Sequence, residues 1–142
     1  MSVYVDTSLV VASLTEESAT QQVRSWLAEQ EQASVHVSEW TLTEVSSALA
    51  MKVRTKQITP EERTVAMSVF DRMKAESLVV LPVVTAHFRA AATFSDRHEL
   101  GVRAGDALHL AIAAQSGLTV VTLDQRMAEA APALGVPAQL LA

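Results

Sequence analysis

Four carboxylates stand at positions where chemistry is plausible: Asp6 after the apolar run SVYV, Glu44 within EWTLTEVSSALA, Asp106 at the mouth of DALHLAIAAQS, and Asp124 closing LTVVTLD. If the chain brings them together, their mutual repulsion requires a cation, and an all-oxygen set selects hard ions such as Mg²⁺ or Mn²⁺. Such an ion holds a phosphate oxygen, turns bound water into a nucleophile and neutralises the departing oxygen. The chemistry implied is hydrolysis of a phosphodiester without a protein nucleophile.

The same residues have plainer uses. Aspartate is a favoured helix N-cap, and its charge suits the positive end of the helix dipole, so Asp6, Asp106 and Asp124 could each be a cap alone. Glu44 has no capping job. It lies in mid-helix beside core-facing Val45, with Thr41 and Ala48 as same-face neighbours and no base at i+4. Its plain reading is a solvated carboxylate at the edge of a buried stripe. His109 follows Asp106 by three residues and shares its helix face; it is either a packed core histidine or a neighbour of the acids. Trp26 and Trp40 read as helix anchors.

Competing chemistries lack their motifs. The four histidines form no H-E-x-x-H pair, G-x-S-x-G and G-x-x-x-x-G-K-[ST] are missing, and without cysteine no thiolate zinc site exists. A phosphoaspartyl enzyme needs a second acid two residues after the first, or a lysine at a later strand end. Here Ser8 fills the first place and no lysine follows Lys74. A non-catalytic binding module, with the aspartates as caps, remains the other alternative.

The elements that must position the acids follow from pattern. SVYV reads as a strand feeding a helix through Asp6-Thr7-Ser8, residues 16–30 as a helix, and VHV at 35–37 as a second strand. A helix opening at Ser38 or Glu39 runs to about Lys56, and Ile58-Thr59-Pro60-Glu61-Glu62 starts its hairpin partner with a cap, a proline and two acids. LVVLPVV at 78–84 is a buried strand that Pro82 pushes toward a sheet edge or strand end. Residues 85–99 read as helix, 106–116 as an apolar helix ended by Gly117, 118–123 as a strand, and QRMAEAA as a short helix; GVPAQLL is a last edge strand. Apolar strands separated by helices predict an α/β fold with a mainly parallel sheet covered on both faces. Carboxyl ends of such strands share one rim, where ligands bind. Asp6, Asp106 and Asp124 are expected there.

The 142 residues suit one domain, and with 49% hydrophobic and 19% charged residues the whole chain is expected to fold. No apolar run approaches a membrane span, and the N-terminus lacks a basic leader, which makes a cytoplasmic protein without membrane association the default. The net charge of −5 argues against a protein that coats DNA. Its distribution is uneven: residues 1–50 hold seven acids and one base, Arg24, whereas residues 51–103 hold nine bases and six acids. A polyanion could meet the middle of the chain, unless these bases are ordinary solvated helix faces.

VDTS at 5–8, the glutamate of TEV at 44, RAGDALHLA at 103–111 and VVTLD at 120–124 resemble the acidic motifs of PIN-domain ribonucleases, in order and across nearly the whole chain. Its compact length resembles the VapC-type toxins of toxin–antitoxin pairs. The resemblance implies a three-layer α/β/α sandwich and a Mg²⁺- or Mn²⁺-dependent endoribonuclease leaving a 5′-phosphate. Its ligands would be Asp6, Glu44, Asp106 and Asp124, Asp6 and Asp106 foremost, with Ser8 close enough to orient a ligand or water. It further implies a homodimer and a cognate antitoxin that blocks the site. Arg103 and Arg126, next to two of the acids, are candidate phosphate contacts. Gly105 stands where many relatives carry a larger residue.

Overall fold

A computed structural model describes residues 1–141. Val3–Val5 form the short strand β1, buried throughout, and the chain turns at Asp6 into α1, Thr7–Leu14. The helix α2, Thr20–Ala28, precedes β2, Val35–Ser38, which runs directly into α3, Glu39–Arg54. The next helix, α4, covers Pro60–Glu76 and opens as its sequence predicts: Thr59 Oγ1 accepts from the Glu62 N–H at 3.1 Å, and Glu62 Oε1 accepts from the Thr59 N–H at 2.9 Å. Then come β3, Leu78–Leu81, α5, Thr85–Ser95, a 3₁₀ turn at His98–Leu100, and α6, Ala104–Ser116. The chain closes with β4, Thr119–Thr122, α7, Gln125–Ala133, and β5, Ala138–Leu140.

The strands form one parallel sheet in the order β3-β2-β1-β4-β5. Pro82 follows the last residue of β3, and β3 is an edge strand, so both readings of that proline hold. From β1 the chain builds outward through β2 and β3, then returns to the other side of β1 for β4. Strand order therefore reverses between β1 and β4, and the crevice beyond their carboxyl ends is where a parallel sheet offers a ligand site. Asp6 leaves β1 and Asp124 lies just beyond β4 at that crevice.

Alternation along the strands divides the core in two. Val3, Val5, Val37 and Val121 pack with Leu9, Val23, Val45, Leu49 and Phe70 on one face. Tyr4 and Val120 point the other way, toward Ala91, Leu110, Ile112 and Met127. The helix α6 is buried without interruption from Ala107 to Ala113, which explains its nearly uniform apolar sequence.

Boundaries differ from the pattern reading in three helices. Residues 16–19 are not helical but lead through a turn at 18–19 into α2, and Glu17 N–H donates to Thr20 Oγ1 at 2.8 Å. The expected helix over 85–99 ends at Ser95 and gives way to the 3₁₀ turn, closed by Gly101 in a left-handed conformation. At α6 the helix begins at Ala104, so Asp106 lies inside its first turn rather than at its start.

Candidate active site

The capping explanation separates the three aspartates. Asp124 does cap α7, its Oδ1 accepting from the Met127 N–H at 3.2 Å. Asp6 occupies the N-cap position of α1 but makes no capping hydrogen bond, and Arg103, not Asp106, is the N-cap residue of α6. Two acids at the crevice therefore have no capping role.

All four acids line one cavity of about 540 Å³, together with Thr7, Ser8, Lys52, Arg103 and His109. Asp6, 4% exposed, is held by hydroxyls: Ser8 Oγ reaches its Oδ1 at 2.8 Å and Oδ2 at 3.0 Å, and Thr122 Oγ1 donates to Oδ2 at 3.0 Å. Ser8 thus holds the Asp6 carboxylate. Burial above all, with the nearby Asp106 charge, keeps the Asp6 carboxyl above the ordinary range despite His109, Ser8 and Thr122. Asp106 is likewise raised by burial and by the charges of Asp124 and Glu44, against the opposing charges of His109 and Arg103.

Glu44 behaves in the opposite way. Burial pushes its carboxyl up, but His109 and the Thr7 hydroxyl outweigh it and leave the group below its usual range. Both act on one oxygen: Oε1 accepts from Thr7 Oγ1 at 2.5 Å and from His109 Nε2 at 2.5 Å. The imidazole is 1% exposed, and its Nδ1 lies 2.6 Å from the hydroxyl of fully buried Tyr4. That hydroxyl also meets Ser38 Oγ at 2.9 Å and Thr41 Oγ1 at 3.4 Å, and burial lifts its pKa to about 12. His109 is therefore both of the things its sequence allowed, a packed core residue and a partner of the acids.

The cavity's donors suit a hard divalent ion. Among the described residues no lysine or arginine forms an ion pair with Asp6, Glu44, Asp106 or Asp124, and the charges of neighbouring acids help to raise the carboxyls of Asp6 and Asp106. Glu44 Oε2 and both carboxylate oxygens of Asp106 accept no hydrogen bond among the described residues and keep their lone pairs for an ion. As the side chains are disposed, no group of three or more acids and histidines among the described residues is arranged to hold an ion; each acid except Asp106 is turned onto hydroxyl, imidazole or backbone donors. The four acids thus share one cavity without the close convergence expected of them.

Arg103 and Arg126 flank a second cavity of about 270 Å³, and Asp106 and Asp124 form the wall it shares with the first. Neither arginine side chain has a hydrogen bond or ion pair among the described residues. Lys52 is paired with Glu17 at 3.2 Å. Sequence reasoning missed Tyr4, Thr7, Ser38 and Thr122; nothing in a β-strand tyrosine or a helix-start threonine distinguishes these polar partners from packing residues.

The PIN-domain family model matches residues 3–132. Among solved structures the chain is similar to VapC20 of Mycobacterium tuberculosis, described as a Sarcin-Ricin loop cleaving toxin, at 20% identity and a TM-score of 0.73 over 91% of this chain and 95% of that one. It is similar to DNA-bound VapBC of Salmonella typhimurium at 20% identity and a TM-score of 0.73 over 100% of both chains. FitAcB of Neisseria gonorrhoeae shares 19% identity at a TM-score of 0.71, over 98% of this chain and 97% of that one. No curated protein matches the sequence.

Proposed function

The chain belongs to the PIN-domain family, and from that premise we propose that it is a metal-dependent endoribonuclease, the VapC-type toxin of a toxin–antitoxin pair. One observation carries the reading: acids from four separated segments line a single cavity at the sheet's switch point, and two of the three aspartates do no capping. Asp6 and Asp106 are the principal ligands of Mg²⁺ or Mn²⁺, with Glu44 and Asp124 completing the shell or positioning water. When bound, the ion supplies an activated water and offsets charge on the phosphate and the leaving oxygen.

The chain's own residues do the rest. Ser8 and Thr122 fix the Asp6 carboxylate, and Thr7 and His109 fix that of Glu44. Arg103 and Arg126 take phosphates flanking the scissile one. The substrate is RNA in the cytoplasm.

A groove of about 470 Å³ supports a protein partner. Leu14, Ile58, Val65, Ala66 and Val69 line it, Val65 being 64% exposed, and Glu16, Glu61 and Glu62 rim it. A cognate antitoxin lays an apolar segment there. The active form is a homodimer of one-domain chains. No described helix is long and apolar enough to cross a membrane.

The test is cleavage of RNA in Mn²⁺ by the wild type and by Asp6→Asn, each repeated in EDTA. Cleavage by the wild type alone, abolished by EDTA, is the expected outcome. Equal cleavage by both proteins ends the assignment.

A further inference from the structure

The second residue of α6 is a glycine whose backbone does not require one. Gly105 lies outside the left-handed region, and within a helix alanine is the better residue. What distinguishes the position is its neighbour. A Cβ built on Gly105 would stand 3.0 Å from Glu44 Oε2, whereas its next contacts, Trp40 Cζ2 at 3.5 Å and Nε1 at 3.7 Å, are ordinary. The first contact is tighter than carbon and oxygen normally accept, so the carboxylate would have to move.

Glu44 has little freedom to do so. Its Oε1 is tied to Thr7 on α1 and to His109 on α6, and His109 is braced from behind by the buried Tyr4 hydroxyl. A carboxylate only accepts, so the proton between the two groups belongs to His109 Nε2, which leaves Nδ1 to accept from Tyr4. Ser38 and Thr41 complete the chain of hydroxyls behind the tyrosine. Trp40 Nε1 donates to the Gly105 carbonyl at 3.3 Å and holds the start of α6 against α3. Among the described residues Oε2 has no hydrogen-bond partner.

We propose that Gly105, together with the Tyr4–His109 pair, positions Glu44: the buried pair pins Oε1, and the missing side chain at 105 leaves Oε2 the space to face the acid cavity and serve a divalent ion or its water. These are positioning residues, not catalytic ones. The inference rests on the metal-dependent reading above, but part of its test needs neither metal nor RNA.

The experiment uses the full chain with ¹⁵N-labelled histidine, in wild type, Gly105→Ala, Tyr4→Phe, Glu44→Ala and the Gly105→Ala/Glu44→Ala double variant. In metal-free wild type, His109 should show a protonated Nε2 and a bare Nδ1, with a downfield Nε2 proton that Glu44→Ala removes. Gly105→Ala should shift that proton while the melting temperature holds or rises, as helix propensity directs. Mn²⁺ affinity by calorimetry should fall about tenfold or more in Gly105→Ala and in Tyr4→Phe, the scale of losing support behind a metal ligand. In the Glu44→Ala background, Gly105→Ala should change affinity no further.

Retention by Gly105→Ala of both the wild-type proton signal and the wild-type Mn²⁺ affinity overturns the proposal, as does an equal loss of affinity with and without Glu44. Should Gly105→Ala be poorly folded, Tyr4→Phe decides by the same two readings. A wild type with these His109 signals that cuts no RNA removes the nuclease reading and leaves Glu44's positioning standing.

Discussion

The starts of α6 and α7 lie on the same rim, and each carries an aspartate, but the helices use them differently. Asp124 gives an oxygen to the Met127 N–H and so stabilises its own helix. Asp106, within the first turn of α6, gives nothing to a backbone donor, and burial and the charges of Asp124 and Glu44 hold its carboxyl above the ordinary range. The same residue type, at the same end of the same secondary structure, is stabilising in one place and a cost of about the opposite sign in the other. A half-buried acid that caps no helix and whose charge the fold on balance disfavours is the better marker of function.

The largest expected effect of that difference is on catalysis. Asp106→Asn should reduce RNA cleavage in Mn²⁺ by about 10³-fold, several kcal/mol of transition-state charge stabilisation, with the circular dichroism spectrum unchanged. Asp124→Asn should cost less, about 10- to 100-fold, the range of changes to outer partners of a metal site. Single-turnover cleavage of an end-labelled oligoribonucleotide measures both, and a greater loss at Asp124 would invert the ranking.

Next in size is the response to metal. Saturating the wild type with Mn²⁺ at about 100 times its dissociation constant should add about 2.7 kcal/mol of stability through mass action, seen as a rise in melting temperature. Asp106→Asn should lose most of that rise. An unchanged rise in the variant would place the ion elsewhere.

Smaller again is the cap. Asp124→Ala should cost about 1 kcal/mol, whereas Asp124→Asn should be nearly neutral, because asparagine offers the same acceptor at an N-cap. Thermal melts in EDTA resolve the pair. Equal melting of wild type and Asp124→Ala would mean that the 3.2 Å bond to Met127 contributes nothing and that both aspartates are functional alone.

How much of this was legible in the sequence depends on range. Period and punctuation located Asp6 and Asp124 behind strands, the Thr59-Pro60-Glu62 start of α4, and Pro82 at the end of an edge strand, just past its last residue. Those are signals carried within a few residues. The partners that tune the acids come from far away: Tyr4 meets His109 across 105 positions, and Thr122 reaches Asp6 across 116. A tyrosine between two valines looks like any strand residue, and only the pairing of β1 between β2 and β4 turns it toward α6. The apolar pattern starts the helix at Asp106. The helix in fact begins before it, and this shift of two residues is what removes it from the cap.

The smallest effect is the one most particular to Asp106. Its folded-state pKa is raised, so ionising it opposes folding; the penalty is absent below the unfolded-state pKa and grows as pH rises toward and through the folded one. In EDTA, then, Asp106→Asn should melt above the wild type at neutral pH, and the gap should close as pH falls into the ordinary carboxylate range, where the wild-type acid is protonated in both states. Adding Mn²⁺ should reverse the order, because the ion turns the wild type's repulsive charge into a ligand. Asp124→Asn offers the control, since an acid engaged at a helix N-terminus should show no such gain. A lower melting temperature for Asp106→Asn in EDTA at neutral pH would mean that its charge stabilises the fold, and the contrast between the two helix starts would be lost.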